Sequence, residues 1–394
     1  MRDVVIAGPV RTAIGKFGGA LAGVPVTDLG AAAAREAMKR AGVSPRDVGE
    51  AIMGHALQAG AGANTARQVA LASGIPVSVP AYTVNKVCAS GMKAVALGAA
   101  SIAAGENEIV LAGGMENMSA APFLLPKARW GYRMGDGEAL DCLLRDALLD
   151  PGGAGHMALT AENLAKEFNI SRADQDDFAA QSQQKAAIAQ KAGQFAAEIV
   201  PVNVPQKGKE FSFDRDEFPR PDTTVEVLSK LKPAFRSDGT VTAGNASGIN
   251  DGAAAMVLLS ADEAKRRGIH PMARIVSCAS AGVEPHRMGI GPVPAARAAV
   301  AKAGLTLNDI EVIELNEAFA AQALAVMREL RLDPAKVNLN GGAIALGHPI
   351  GASGARILVT LLHIMTARGA RLGLATLCVG GGQGMAVAVE RVSW

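Results

Sequence analysis

Laid on itself at an offset of 262 residues, the chain repeats. Ala34-Arg35 through Ala41-Gly42-Val43-Ser44 and on to Asp47-Val48 answers Ala296-Arg297 through Ala303-Gly304-Leu305-Thr306 and Asp309-Ile310. At an offset of 263, Ala89-Ser90-Gly91 falls on Ala352-Ser353-Gly354, and each triplet opens an apolar stretch that runs to a glycine, Gly105 or Gly369. IVLAGG at 109–114 then answers LATLCVGGG at 374–382. A period this long means two copies of a domain rather than a stack of short units. Within each copy strand-like and helix-like runs alternate (VVIAG, a helix from Asp28 to Ala41, AIMGHAL, a helix, IVLAGG), which calls for parallel-rich sheets covered by helices. The expectation is an α/β chain of two related halves, residues 1–119 plus about 246–270 and residues 271–394, facing each other across a pseudo-twofold. Residues 120–245 differ in texture. They are richer in charge and proline (KGKEFSFDRDEFPRPD) and hold an amphipathic helical segment, LTAENLAKEFN, and a second helix starting at Ser171-Arg172-Ala173-Asp174. This reads as an inserted loop domain, and insertions on a rigid scaffold commonly carry substrate contacts.

Composition narrows the function. A hydrophobic content of 49% against 19% charged residues excludes a disordered chain, and the 45 glycines show no collagen-like period. Lys plus Arg number 39 against 37 Asp plus Glu, so no broad basic surface awaits a nucleic acid, and 4% aromatics leave few base-stacking platforms. Cys88, Cys142, Cys278 and Cys378 are scattered, with no C-x-x-C pair and no His at zinc-ligand spacing, so no metal site is expected. The amino end, MRDVVIAGPV, reads as a strand rather than a signal peptide, and no apolar run is expected to approach the ~20 residues of a membrane span. A cytoplasmic chain with free thiols, away from membranes, is expected.

Four stretches hold chemistry-bearing residues. In NKVCASGM, an apolar strand ends in Cys88 at the start of a helix, where unpaired N–H groups and the helix dipole should lower the thiol pKa. A lone Cys is more often a small buried hydrophobe; the strand–Cys–Gly–helix setting favours the nucleophile. NGGAIALGHPIG places His348 among glycines just before the second-copy helix, close to the counterpart of Cys88, so facing halves would bring imidazole and thiol to one cleft. Alone, His348 reads equally as a residue of a surface turn. LCVGGGQG runs a strand into glycines but lacks the Lys-Ser/Thr of a Walker loop. It can present backbone N–H groups to an oxyanion, with Cys378 either a second reactive thiol or a structural one. In ELNEAFAAQ, Asn316 is placed to cap a helix or to hold a water or carbonyl in the same cleft.

Together with GNASGINDGAAA, these motifs resemble the thiolase family, in its short-chain acetyl-CoA acetyltransferase branch, over essentially the whole chain and in the family's order. The resemblance implies the thiolase fold, five layers (αβαβα) with pseudo-twofold symmetry plus the loop domain. It implies acylation of Cys88, activation by His348 and proton movement at an α-carbon by Cys378. Two oxyanion sites are implied, one from His348 and a water on Asn316, the other from the N–H groups of Cys88 and Gly380. Coenzyme A contacts fall on Leu148, His156, Met157, Arg220, Phe235, Ala243, Ser247, Met288, Ala318 and Phe319. Acetyl-CoA, coenzyme A and acetoacetyl-CoA are implied as substrates and products with no cofactor, and a homotetramer as the assembly, paired through the loop near residues 120–140. The alternative within the family is a broader-range 3-ketoacyl-CoA thiolase. Two positions depart from the pattern: Val227, where a small polar residue is common, and Ala63, where a Gln is common.

Overall fold

The strand-like runs of both copies join one mixed sheet in a computed structural model that describes residues 2–206 and 209–392. The first copy runs β1 (Val4–Thr12), α1 (Val26–Ala41), β2 (Glu50–Gly54), α2 (Thr65–Ala72), β3 (Ala81–Val84), α3 (Ser90–Ala104) and β4 (Ile109–Asn117). The intervening segment contributes α4 (Met157–Glu167) and α5 (Arg172–Lys191) before β5 (Asn250–Ser260) returns to the sheet. The second copy follows as β6 (Ala273–Gly282), α6 (Pro292–Lys302), β7 (Val312–Leu315), α7 (Ala320–Leu330), α8 (Ile350–Arg368), β8 (Leu372–Val379) and β9 (Gln383–Arg391).

The strand order is β7-β8-β9-β6-β1-β5-β4-β2-β3. Strand directions repeat as the sequence does. β2 is parallel to β4, which is antiparallel to β5, which is antiparallel to β1; β7 is parallel to β8, which is antiparallel to β9, which is antiparallel to β6. The two halves meet through a short antiparallel pairing, Val5 with Arg274 and Ile6 with Ala273.

β4, β5 and β8 are buried at every position, and their unbroken apolar runs are what strands covered on both faces require. α1 and α2 cover the outer face of the first half, α3 and α8 fill the space between the halves, and α6 and α7 cover the outer face of the second. Three apolar cores match these gaps: one under α1, one around α3 and α8, and one under α6 and α7. The result is a five-layer αβαβα arrangement, as the resemblance implied.

Contrary to the sequence expectation, two helical stretches, Val87–Ala104 and Ile350–Arg368, are long and apolar enough to span a membrane by length and composition. The fold uses that apolarity internally: 83% of the second stretch is buried against its neighbours. Glycine lets the two helices cross closely, because a Cβ at Gly354 would lie 2.6 Å from the Met92 Cβ. In the inserted segment, Ser171 accepts from the Asp174 N–H while Asp174 accepts from the Ser171 N–H, the capping box that starts α5.

Candidate active site

Cys88 occupies a single 3-10 turn, Val87–Ala89, between the end of β3 and the start of α3. Val87 holds φ +46°, a left-handed conformation rare for a β-branched residue, and strain of this kind is kept only where surrounding contacts enforce it. Those contacts are visible. Asn85 Oδ1 accepts from the Val87 N–H at 3.0 Å, and Ser90 Oγ donates to the Val87 carbonyl at 2.6 Å while accepting from the Lys86 N–H at 2.9 Å. Lys86 Nζ reaches across to Gln383 Oε1 at 2.5 Å, tying the turn to the glycine loop of the second copy. That loop aims the Gly380 N–H at the Cys88 sulfur.

The helix start does not lower the Cys88 pKa, as the sequence suggested it would. Burial pushes the thiol up to about 11, overcoming the stabilising N–H groups of Gly380 and Cys88 itself. The Cys88 turn packs against α8 and β8 of the second copy, cover that the local motif alone does not reveal.

His348 lies in the turn before α8 and is buried, not placed in a surface turn. Its backbone N–H donates to Asn250 Oδ1 at 2.9 Å. Gly347 before it has φ +107°, and a Cβ there would fall 2.5 Å from the Asn250 Cγ, so only glycine permits the approach. Burial, with the charge of Arg356 acting the same way, drives the imidazole pKa down to about 3. The resting ring is therefore neutral at physiological pH.

Asn316 does not cap a helix. α7 begins at Ala320 with Phe319 in the cap position, and the Asn316 side chain turns to the site: Nδ2 is 3.5 Å from His348 Nδ1, and Oδ1 accepts from Arg356 Nη2 at 3.4 Å. Cys378 ends β8, fully buried, its thiol raised by burial and by the neighbouring Cys88.

Cys88, His348, Cys378 and Gly380 line one largely apolar cavity of about 420 Å³, and Asn316 stands behind His348. All ten residues expected to contact coenzyme A also line it: Leu148, His156, Met157, Arg220, Phe235, Ala243, Ser247, Met288, Ala318 and Phe319. At its wall His156 stacks on Phe235 with ring centroids 4.7 Å apart, and Arg220 lies over Phe218 at 5.3 Å from the ring centroid. Val227 is 52% exposed and does not line this cavity; the Ala63 carbonyl accepts from Gln68 Nε2 at 3.0 Å. Among the described residues no group of three or more His, Cys, Asp or Glu side chains is placed to hold a metal.

Sequence reasoning missed the supporting residues. The Glu116 carboxylate accepts from the Gly351, Ala56 and Leu57 N–H groups and pairs with His55, pinning the start of α8 to the first copy. Ser353 contacts His348 directly, and its register with Ser90 in the repeat was the available signal. Chemically, the largely apolar cavity offers a neutral thiol, a neutral imidazole, a second thiol and an oriented N–H, a set suited to acyl transfer through sulfur.

Comparison with known proteins agrees with this geometry. The family model for the thiolase N-terminal domain matches residues 4–262, and that for the thiolase C-terminal domain matches residues 269–391. An acetyl-CoA acetyltransferase of Cupriavidus necator is 58% identical over 392 residues, 99% of this chain and 100% of its own. The crystal structure of the Bacillus anthracis acetyl-CoA acetyltransferase superposes with a TM-score of 0.98 at 49% identity, covering 100% of this chain and 99% of that one. Human mitochondrial 3-ketoacyl-CoA thiolase in complex with CoA superposes with a TM-score of 0.96 at 45% identity, covering 100% and 98%. With both of its halves matched along their length and its fold shared, the chain belongs to the thiolase family.

Proposed function

We propose that the chain is an acetyl-CoA C-acetyltransferase, condensing two acetyl-CoA to acetoacetyl-CoA and coenzyme A and, in reverse, thiolysing short 3-ketoacyl-CoA. The observation that carries this reading is the single cavity in which Cys88, His348 and Cys378 meet, walled by all ten expected coenzyme A residues. High identity to acetyl-CoA acetyltransferases supports it, as does the coenzyme A in the human thiolase neighbour.

In this mechanism the Cys88 proton passes to His348, and the thiolate attacks the acetyl-CoA carbonyl carbon. The C–S bond to coenzyme A breaks, and the departing thiolate takes the Cys378 proton. Cys378, now a buried thiolate, is a strong base, because the burial that raises its pKa also raises its proton affinity. It removes the α-proton of the second acetyl-CoA, and the carbanion attacks acetyl-Cys88. Collapse of the adduct releases the Cys88 thiolate, which recovers its proton from His348. Ping-pong kinetics follow. The enolate oxygen is held by the His348 imidazolium and a water on Asn316, the tetrahedral oxyanion by the N–H groups of Cys88 and Gly380. Acetyl-CoA and coenzyme A are substrates here, and two thiols and one imidazole move every proton without a cofactor.

We place the enzyme in the cytoplasm, with residues 120–245 acting as its coenzyme A-binding loop domain and four copies forming the assembly. Trp130, 86% exposed, and Met134, 98% exposed, on the loop near residues 120–140 support pairing through that loop.

Likeness to the human 3-ketoacyl-CoA thiolase favours a second reading, a broader-range degradative thiolase. Thiolysis of 3-ketoacyl-CoA substrates of increasing chain length, with α-methylated acetoacetyl-CoA included, separates the two. A steep fall in kcat/KM beyond acetoacetyl-CoA is expected, and equal rates on long chains would replace the first reading with the second.

A further inference from the structure

His348 can serve as a base only through a ring nitrogen that carries no proton, and its neighbours decide which nitrogen that is. Ser353, fully buried in the first turn of α8, has its Oγ 2.6 Å from His348 Nδ1 and 2.8 Å from the Pro349 carbonyl oxygen. A carbonyl oxygen has no proton to give, so a 2.8 Å contact between it and a hydroxyl requires the hydroxyl proton to lie between them. With its one proton committed, Ser353 Oγ can only accept from the imidazole. Nδ1 must then carry the ring proton, and Nε2 is the free base. Asn316 Nδ2 also approaches Nδ1, but its 3.5 Å contact is far longer than the 2.6 Å bond to Ser353.

The first copy shows the same device without the imidazole. Ser90, the counterpart of Ser353, donates to the Val87 carbonyl at 2.6 Å and accepts from an N–H at 2.9 Å, that of Lys86. At the offset of 263, Asn85 stands where the second copy has His348. One hydroxyl geometry, donating to a carbonyl and accepting from an N–H, thus stabilises the nucleophile turn in one half and meets the imidazole in the other.

We propose that Ser353 is the positioning residue of His348, holding the imidazole in its Nδ1–H tautomer so that Nε2 faces the nucleophile as base. The same contact persists once Nε2 has taken the Cys88 proton, because the imidazolium still donates from Nδ1. One fixed bond therefore serves both the resting base and the protonated donor. This rests on the reading of His348 as the base that activates Cys88.

The test combines 15N spectra of histidine-labelled enzyme, with the His348 resonances assigned from the spectrum of His348→Asn, and the rate of Cys88 acetylation by acetyl-CoA in Ser353→Ala and Ser353→Thr. The resting wild-type enzyme should show a protonated Nδ1 and an unprotonated Nε2 at His348. Ser353→Ala should acetylate about 10- to 100-fold more slowly, by analogy with removal of an outer partner of a metal-ligating His, with its tautomer shifted, and Ser353→Thr should restore both. A resting wild-type ring protonated on Nε2 overturns the proposal, even if Ser353→Ala fails to fold. So does a folded Ser353→Ala with an unchanged tautomer, whatever its rate. If His348→Asn acetylates at the wild-type rate, the base reading itself fails; if His348→Asn is inactive while Ser353→Ala acetylates normally, only the positioning role fails.

Discussion

A neutral alkylating reagent will find Cys88 slow at neutral pH and progressively faster as the pH approaches 11, because burial holds the resting thiol protonated. A reactivity plateau reached below pH 8 would contradict this. Cys88→Ser should lose acyl transfer by several orders of magnitude while keeping its unfolding midpoint, since a hydroxyl fits the space and is a far poorer nucleophile. Cys378→Ala should still acquire acetyl on Cys88 yet lose condensation far more; equal loss of both steps, measured by single-turnover acetylation and by steady-state condensation, would remove Cys378 from α-carbon deprotonation. At this scale the sequence located the residues through their motifs but misjudged their state. The Cys88 pKa depends on burial that a local motif does not display, and the choice between a helix cap and a cleft role for Asn316 stayed open because nothing local reveals that α7 begins four residues later, at Ala320.

Between elements, the crossing of α3 and α8 bears most weight, because it places Cys88 and His348 at neighbouring helix starts. Gly354 has no room for a side chain at that crossing: a Cβ would also meet the Met92 backbone nitrogen at 2.7 Å. Gly354→Ala should therefore cost about 1–3 kcal/mol of stability, the usual range for overpacking, and should slow acetylation as the two helix starts move apart. Urea unfolding combined with the acetylation rate checks both effects. The doubling of the halves was legible because the offset of 262 maps β2 onto β7 and α1 onto α6, but the parallel-rich sheets read from the alternation are mixed, antiparallel wherever β5, β6 or β9 pairs. The close packing of α3 on α8 was not, since a sequence repeat records what each copy keeps and not what the copies do to each other.

Across the whole molecule, buried charge adds a pH dependence that no single motif announces. Glu314, within 3.6 Å of Arg356, is pushed up to about 8 by burial, against the pull of that guanidinium. Its folded pKa lies above its unfolded value, so the folded state binds the extra proton, and the stability this provides is lost as pH rises from about 4.5 through 8. Glu314→Gln should flatten that slope, which urea midpoints at pH 5 and pH 8 would register. For the proposed tetramer, Trp130→Ser combined with Met134→Ser should give a smaller species than the unaltered chain in light scattering. The central claim, a covalent acetyl relay through Cys88, is tested most directly by incubating the enzyme with acetyl-CoA, mapping the labelled peptide by mass spectrometry and chasing with coenzyme A. The account predicts an acetyl group on Cys88 alone, removed by the chase. An acetyl group on another residue, or none under conditions in which acetoacetyl-CoA forms, would contradict it.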